Sequence, residues 1–543
     1  MVFPKQGAPR PPARRSGVLA SPSSSWWALW AALLAAAALG ALAISRQSLW
    51  IDELGTWRLT RADDLATWLA QLLGWRNSDA QLPLYHAWIK LWSAAFGQDE
   101  AVLRCSNLPW LALALWPLWR APVRPDAVGL LRGIGLVLLL HPLVWYYTNE
   151  LRPYVMLLAG ATLAGTGLMG AWMESDDAQE RALSRHLLIV GLALLAASSA
   201  IGAIWTLAFL LPALGLAARR HGPGLGLSRG HAWSIVLCLA VLVPVFAQYL
   251  SSFLSGVTAT TLHQHKLVNF GYAFYELLGL AGVGPGREAL RVAPAPALKA
   301  HALALAAAAL LLLAGLGLGL RALWQREGRR ALVVGLLALL PVLVLLGLAE
   351  LKHWRVVGRH MVPLLFFVAL GLAAAGQAAW RQGGWGARGA AAGALLALLA
   401  SSLAIRLAER HQREQYRDAA AEAQQSLAQG RTTWWFADSA GPEYHGLGVR
   451  TYKLVPQADY DRGLKHLYDG LASRLVTDCG QVPAGSLLVL ENPGAAELAA
   501  CPPPSRVIYS RRDTFDVAGQ GEAWMRQHGL APQRRLIGFE IWQ

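Results

Sequence analysis

The chain has 543 residues, is 55% hydrophobic and only 15% charged, and carries a formal net charge of +15. So apolar a composition excludes an ordinary soluble domain and points to a protein that crosses the membrane several times. In a soluble chain the basic excess would suggest nucleic acid; here much of it falls in short loops between apolar runs, as the positive-inside rule requires, and no nucleic-acid partner is expected.

Residues 1–25, rich in Pro and Ser, read as a disordered cytoplasmic tail. The run 26–44 is long enough to span. It is not followed by a small-residue cleavage site, so it is expected to be an uncleaved first helix with its N-terminus inside. Segment 45–100 reads as external, with amphipathic helices over about 61–74 and 83–96 and with Trp68, Trp75, Trp88 and Trp92 as interfacial anchors. Further spans are expected at about 101–119, 128–147 and 153–173, at two short pieces of 187–218 split near Ser198, and at about 232–250, 300–320, 331–349, 361–380 and 389–405, about 11 in all. Arg120, Arg124, Arg219, Arg220, Arg326, Arg329 and Arg381 mark the expected cytoplasmic turns, and 251–299 forms a second large external segment.

From 406 the pattern changes. A charged helix over 406–429 is followed by short apolar strands (432–437, 486–491, 506–510, 535–542) and helical stretches (461–475, 521–528), which read as a small α/β domain over 406–543. It has no Gly-rich phosphate loop, hence no expected nucleotide site. An odd number of spans places it outside. Cys479 and Cys501 both fall in it, where a disulfide can form; Cys105 and Cys238 lie in or beside apolar runs.

Chemistry-bearing residues gather at the expected outer boundary. The first external segment supplies Asp52, Glu53, Asp79, Tyr85, His86 and Lys90; the turn after the third span supplies Glu150, Arg152 and Tyr154. The middle segment supplies His263, His265 and Lys266, and a charged turn supplies Lys352, Arg355 and Arg359. An acid pair at a membrane edge is costly to desolvate. Guanidinium and ammonium groups bind the phosphate of a lipid-linked sugar, and a carboxylate takes the proton of an acceptor hydroxyl as it attacks the anomeric carbon. Structural readings stand beside these. Asp52 and Asp79 can cap helices, Glu150 and Arg152 can form a local ion pair, and Arg355 and Arg359 can bind lipid headgroups.

Five stretches carry a family resemblance. Trp50-Ile-Asp-Glu-Leu-Gly-Thr56 resembles the W-x-D-E-x-x-T signature that follows the first span of GT-C glycosyltransferases. Asp79-Ala-Gln-Leu-Pro-Leu-Tyr85 resembles D-x-H-P-P-L-Y, and Phe96-Gly-Gln-Asp-Glu-Ala-Val-Leu-Arg104 resembles F-G-x-S-E-x-x-x-R. Tyr147-Thr-Asn-Glu-Leu-Arg-Pro-Tyr154 resembles the E-x-R-x-Y turn, and Arg359-His-Met-Val-Pro363 resembles the R-Y/H-x-x-P that opens a late helix. In this order and topology they resemble the polyprenyl-phosphate-sugar-dependent enzymes (family 39, the aminoarabinose transferases and the RgtA/B/C/D-like enzymes) over about 26–405.

The resemblance implies a GT-C catalytic domain in a bacterial inner membrane, with its active site and C-terminal domain facing the periplasm. It implies a polyprenyl-phosphate sugar donor and inverting transfer to a lipid, glycan or protein acceptor. Asp52 falls on the family's base, with Glu53 supporting it or helping to hold a divalent metal ion, and Arg152 and Arg359 are candidate phosphate contacts. Gln81 stands where the family has His, which puts metal dependence in doubt; Glu53, His86, His263 and His265 are the remaining candidate ligands. The rival class is a transporter or flippase of lipid-linked saccharides, which needs the basic lipid-phosphate contacts but not the acid pair.

Overall fold

In the computed structural model, the described residues are 23–62, 64–74, 78–173, 175–221, 228–254, 268–292, 294–352, 356–454, 473–480, 482–491, 501, 507–511, 534–536 and 539–542. The chain opens with α1 (Ser23–Ala43) and then the short helix α2 (Ile51–Arg58). Next come α3 (Leu65–Gly74) and α4 (Pro83–Phe96), near the two expected amphipathic helices. Proline at the start of α4 suits a first turn, where a backbone N–H has no helical partner.

The expected span 101–119 is interrupted. Helix α5 (Glu100–Cys105) stops at Ser106–Asn107, and α6 (Leu108–Arg120) has only 13 residues. The expected span 128–147 is also broken, at His141, between α7 (Val128–Leu140) and α8 (Pro142–Thr148), with a bend of 62°. Pro142 cannot continue the ladder of α7. His141 offers Nδ1 to the N–H of Leu143 (3.2 Å) and Nε2 to the carbonyl of Leu277 (3.0 Å). Helices α9 (Tyr154–Trp172), α10 (Ala178–Ser198) and α11 (Ala200–His221) follow; the expected split falls at Ser199, and both halves are full length rather than short.

After α12 (Arg229–Leu254), the second external segment holds α13 (Val268–Leu277), α14 (Arg287–Val292) and α15 (Pro294–Ala300). Then come α16 (Ala302–Glu327) and α17 (Arg329–Lys352), a 3-10 turn (Gly358–Leu364), α18 (Leu365–Gln382) and α19 (Trp385–Leu407). Among the described residues, nine helices are long and apolar enough to span, or ten if the bent pair is one span, against the eleven expected. The difference lies at α5–α6, too short once broken.

Helix α9 is the buried axis of the bundle, and α10 lies tightly along it. Gly160 and Gly167 permit this: a Cβ at either would sit 2.6 Å from the Leu195 nitrogen or 2.5 Å from the Leu188 nitrogen. Small residues at such contacts let helix backbones approach closely where lipid removes any hydrophobic drive between helices. The outer helices expose large aliphatic side chains, among them Leu237, Val243, Leu303, Leu310 and Leu343. Surface of that kind is covered by lipid, and the chain is a multi-pass membrane protein.

Basic side chains mark one end of the bundle: Arg120 pairs with Glu180 (2.6 Å), Arg326 with Asp126 (2.9 Å), and Arg220 donates to the Ala171 carbonyl (2.5 Å). The opposite end carries the chain after α1, the turn 149–153 and the C-terminal end of α19, where Arg406 donates to the carbonyl of Leu42 (3.0 Å).

The C-terminal part sits at that second end. The expected helix 406–429 is a 3-10 turn (Glu409–His411), a non-helical linker and α20 (Tyr416–Ala428). Then come β1 (Thr433–Phe436), α21 (Ala440–Tyr444), β2 (Tyr452–Leu454), β3 (Arg474–Val476), β4 (Leu487–Glu491), β5 (Val507–Arg511), β6 (Arg534–Leu536) and β7 (Phe539–Trp542). The main sheet is mixed, in the order β1-β4-β7-β5-β6, and β2 pairs with β3 apart from it. The expected strand 535–542 is two strands on opposite sides of β5, β6 parallel to β5 and β7 antiparallel to both β4 and β5. Residues 474–475, expected at a helix end, lie in β3; the rest of 461–475 and all of 521–528 fall outside the described residues except 473. Cys479 and Cys501 are bonded to each other.

Candidate active site

Helix α2 follows the chain segment that leaves α1, and its two acids face different surroundings. Glu53 is fully buried. Its Oε1 accepts from Arg104 Nε (3.0 Å) and the Leu151 N–H (2.8 Å). Its Oε2 accepts from Arg104 Nη2 (2.7 Å) and the Trp50 N–H (3.2 Å), and lies 3.0 Å from Arg413 Nη1. Burial alone pushes this carboxyl up, but Arg104, Arg413 and the hydrogen bonds together hold it at about 2. Arg104, equally buried, also donates to the carbonyls of Ser45 (3.2 Å), Gln47 (2.6 Å) and Ser48 (3.0 Å). It binds the segment before α2 to the acid inside α2.

Asp52 is 30% exposed at the side chain, and its Oδ2 accepts from Arg359 Nη1 at 2.9 Å. Arg359 comes from the 3-10 turn Gly358–Leu364. Arg152 Nη1 donates to the Asp52 carbonyl (3.3 Å) and to Thr56 Oγ1 (3.2 Å). Tyr154, Asp52, Arg152 and Glu150 are the charged or ionisable neighbours of Arg359. One guanidinium therefore pairs with the partly open carboxylate and a second is held at the main chain of the same residue, an arrangement suited to an anion beside a base.

The turn that supplies Arg152 is held from two sides. Asn107 Nδ2 donates to the Glu150 carbonyl (2.6 Å), and Asn149 Nδ2 donates to Ser45 Oγ (3.0 Å). The Glu150 carboxyl is buried, 3.5 Å from Arg413 Nη2. Burial raises its pKa, against the pull of Arg413 and Arg287. Tyr85 is fully buried in the field of Arg152, Glu53 and Glu150, and burial keeps its hydroxyl protonated.

Asp52, Glu53, Tyr85, Glu150, Arg152, Tyr154 and Arg359 are thus brought to one end of the bundle. Lys90 is turned to the carbonyls of Thr60 (2.8 Å) and Ala62. His86 is buried on α4 beside the Tyr85 ring. Asp79 lies in the 3-10 turn Ser78–Gln81. Lys266, Arg355, His263 and His265 fall outside the described residues. Among the described residues no group of three or more His, Cys, Asp or Glu side chains could hold a metal ion.

Sequence reasoning passed over Arg413, Arg287 and Glu276. Arg287 Nε donates to Glu276 Oε1 (2.9 Å), and its guanidinium lies 3.8 Å from the Tyr146 ring centroid. Trp50, Tyr146, Tyr272, Arg287, His411 and Arg413 border one cavity beside Glu53. Arg104 was visible as the last residue of a matched motif, but nothing local marked it as the partner of Glu53.

No family model matches the chain, and no curated protein sequence matches it. Its structure is similar to the crystal structure of ArnT from Cupriavidus metallidurans in the apo state: TM-score 0.50, 13% identity, covering 86% of this chain and 93% of that one. The crystal structure of the same protein bound to undecaprenyl phosphate aligns with a TM-score of 0.48 at 12% identity, over the same 86% and 93%. The likeness to the apo structure shows the fold, an ArnT-like GT-C fold with a small C-terminal strand region.

Proposed function

We propose that this chain is a membrane glycosyltransferase that moves a sugar from a polyprenyl-phosphate carrier to an acceptor outside the cytoplasm, with inversion and with Asp52 as base. The observation that carries the reading is the asymmetry of the acid pair. Glu53 is consumed by buried cations and backbone donors, whereas Asp52 presents a partly open carboxylate against Arg359, with Arg152 alongside.

In the reaction, Asp52 takes the proton of the acceptor hydroxyl. The acceptor oxygen forms the bond to the anomeric carbon as the bond to the phosphate oxygen breaks, and the electron pair leaves with the polyprenyl phosphate. Arg359 and Arg152 bind the phosphate and stabilise the charge it gains.

Two features support a periplasmic site. The pairs of Arg120, Arg220 and Arg326 cluster at the far end, which the positive-inside rule assigns to the cytoplasm. The Cys479–Cys501 disulfide lies in the C-terminal domain at the Asp52 end and suits an oxidising compartment. That domain guides the acceptor, through a cleft bounded by Arg58 of α2 and by Glu443, Arg450, Tyr452 and Arg474.

The test is sugar transfer by purified protein offered a panel of polyprenyl-phosphate sugars and a crude envelope acceptor fraction. Transfer by wild type and its loss in Asp52→Asn support the reading. Equal behaviour of both proteins, with lipid-linked sugar only crossing reconstituted vesicles, overturns it in favour of a transporter.

A further inference from the structure

We infer that Arg413 is a positioning residue through which the C-terminal domain holds α2, and with it Asp52, in register for transfer; its catalytic meaning rests on the function proposed above. Arg413 lies in the four-residue linker 412–415 between the last span and α20. The linker is pinned on both sides. Before it, Arg410 donates to the carbonyls of Gly282 (2.7 Å) and Gly284 (2.9 Å). After it, the Arg417 N–H donates to Ser48 Oγ (2.9 Å), and the Arg417 side chain pairs with Glu100.

From this fixed backbone the Arg413 side chain, only 7% exposed, reaches between two buried acids, 3.0 Å from Glu53 and 3.5 Å from Glu150. The ring centroids of Tyr146 and Trp50 lie 4.9 and 5.7 Å from its guanidinium. Arg104 serves Glu53 through Nε and Nη2, but its Nη1 is committed to the carbonyls of Ser45 and Gln47 and its Nη2 is shared with that of Ser48. Without Arg413, two buried carboxylates lose a shared cation, and an uncompensated buried charge pulls its surroundings toward water.

The consequence falls on Asp52, the residue before Glu53. The Glu53 carboxylate binds the Trp50 N–H at the start of α2 and the Leu151 N–H of the facing turn. Displacing it loosens the first turn of α2 and the turn that carries Arg152 together. The far end of α2 is gripped by the same domain: Glu443 pairs with Arg58 (2.7 Å) and Arg61 (2.6 Å), and the Tyr444 ring meets Trp57 edge-on. The C-terminal domain therefore closes on α2 at both ends, and of its ion pairs with this region the Arg413–Glu53 pair is the buried one.

The experiment uses full-length protein in detergent, with Arg413→Gln and Arg413→Lys compared with wild type. One readout is hydrogen exchange of amides 51–58, which needs no activity; the other is transfer from polyprenyl-phosphate sugars. Arg413→Gln is expected to speed exchange of 51–58 by about tenfold or more while α9 and α10 stay protected. Its kcat is expected to fall by about tenfold or more with donor KM within roughly threefold, since positioning acts on the reacting geometry. Arg413→Lys, which keeps the charge, is expected to recover part of both, and it carries the test if the Gln variant does not accumulate. Wild-type exchange over 51–58 in the Gln variant, or exchange raised evenly through the bundle, overturns the inference. If wild type itself transfers no sugar, the proposed function fails, and the exchange pattern alone decides whether Arg413 holds α2.

Discussion

Glu53→Gln is the substitution whose cost the structure sets most tightly. The carboxylate is completely buried and held by two guanidinium groups and two backbone N–H groups. The environment takes it from the ordinary 4.5 down to about 2. At about 1.4 kcal/mol per pH unit, that drop corresponds to about 3 kcal/mol of stability at neutral pH. Removing one partner of a buried ion pair costs a similar amount, about 3–5 kcal/mol, because Arg104 is left charged and unmatched. The folded pKa is depressed, so this stability is complete above about pH 4.5 and is lost as pH falls toward about 2. The assay is thermal unfolding in detergent at pH 7 and along an acid series, with transfer measured in parallel. The Tm is expected to fall several degrees below wild type at pH 7, with the gap closing between pH 4.5 and 2. A Glu53→Gln protein with wild-type Tm but no transfer would refute it and make Glu53 a reacting group.

Other consequences are equally specific. Arg359→Ala removes the 2.9 Å partner of Asp52 and a proposed phosphate contact, and is expected to raise donor KM by roughly 10- to 100-fold with little change in Tm. Glu443→Ala breaks two partly exposed pairs, so unfolding should shift by less than about 1 kcal/mol; a loss of several would mean the docking of α21 on α2 is stronger than its exposure implies. Gly167→Ala would put a Cβ 2.5 Å from the Leu188 nitrogen and is expected to cost about 1–3 kcal/mol in the same unfolding assay, whereas Gly335→Ala, with open space around it, should cost almost nothing.

Much of this architecture was legible in the chain because apolar runs report burial or lipid contact residue by residue. The spans from 153 onward, the split at Ser199 and the C-terminal change of character all follow from that local signal. The breaks at Asn107 and His141 did not. An apolar run looks continuous until a buried histidine spends its ring nitrogens on the Leu143 N–H and the Leu277 carbonyl, a partner far away in sequence.

The same limit applies at the site. The motif around Asp52 marks α2, but it cannot say which acid faces inward. That depends on Arg104 and on Arg413, which comes from beyond the last span. Arg413 sits in a polar stretch that reads as an ordinary charged helix, and only the tertiary fold reveals that its guanidinium leaves the surface. Arg287 and Glu276 are hidden in the same way, as an ion pair formed across a turn.

The most direct measurement of the central claim is a single-turnover experiment in detergent. Wild type and Asp52→Asn are loaded with the same labelled polyprenyl-phosphate sugar, bound donor is quantified, and acceptor is then added. Equal loading is expected, with transfer in wild type giving inverted anomeric configuration and transfer in Asp52→Asn slowed by at least about 100-fold. Equal loading followed by equal transfer would contradict it, because the carboxylate at position 52 would then take no proton in the reaction.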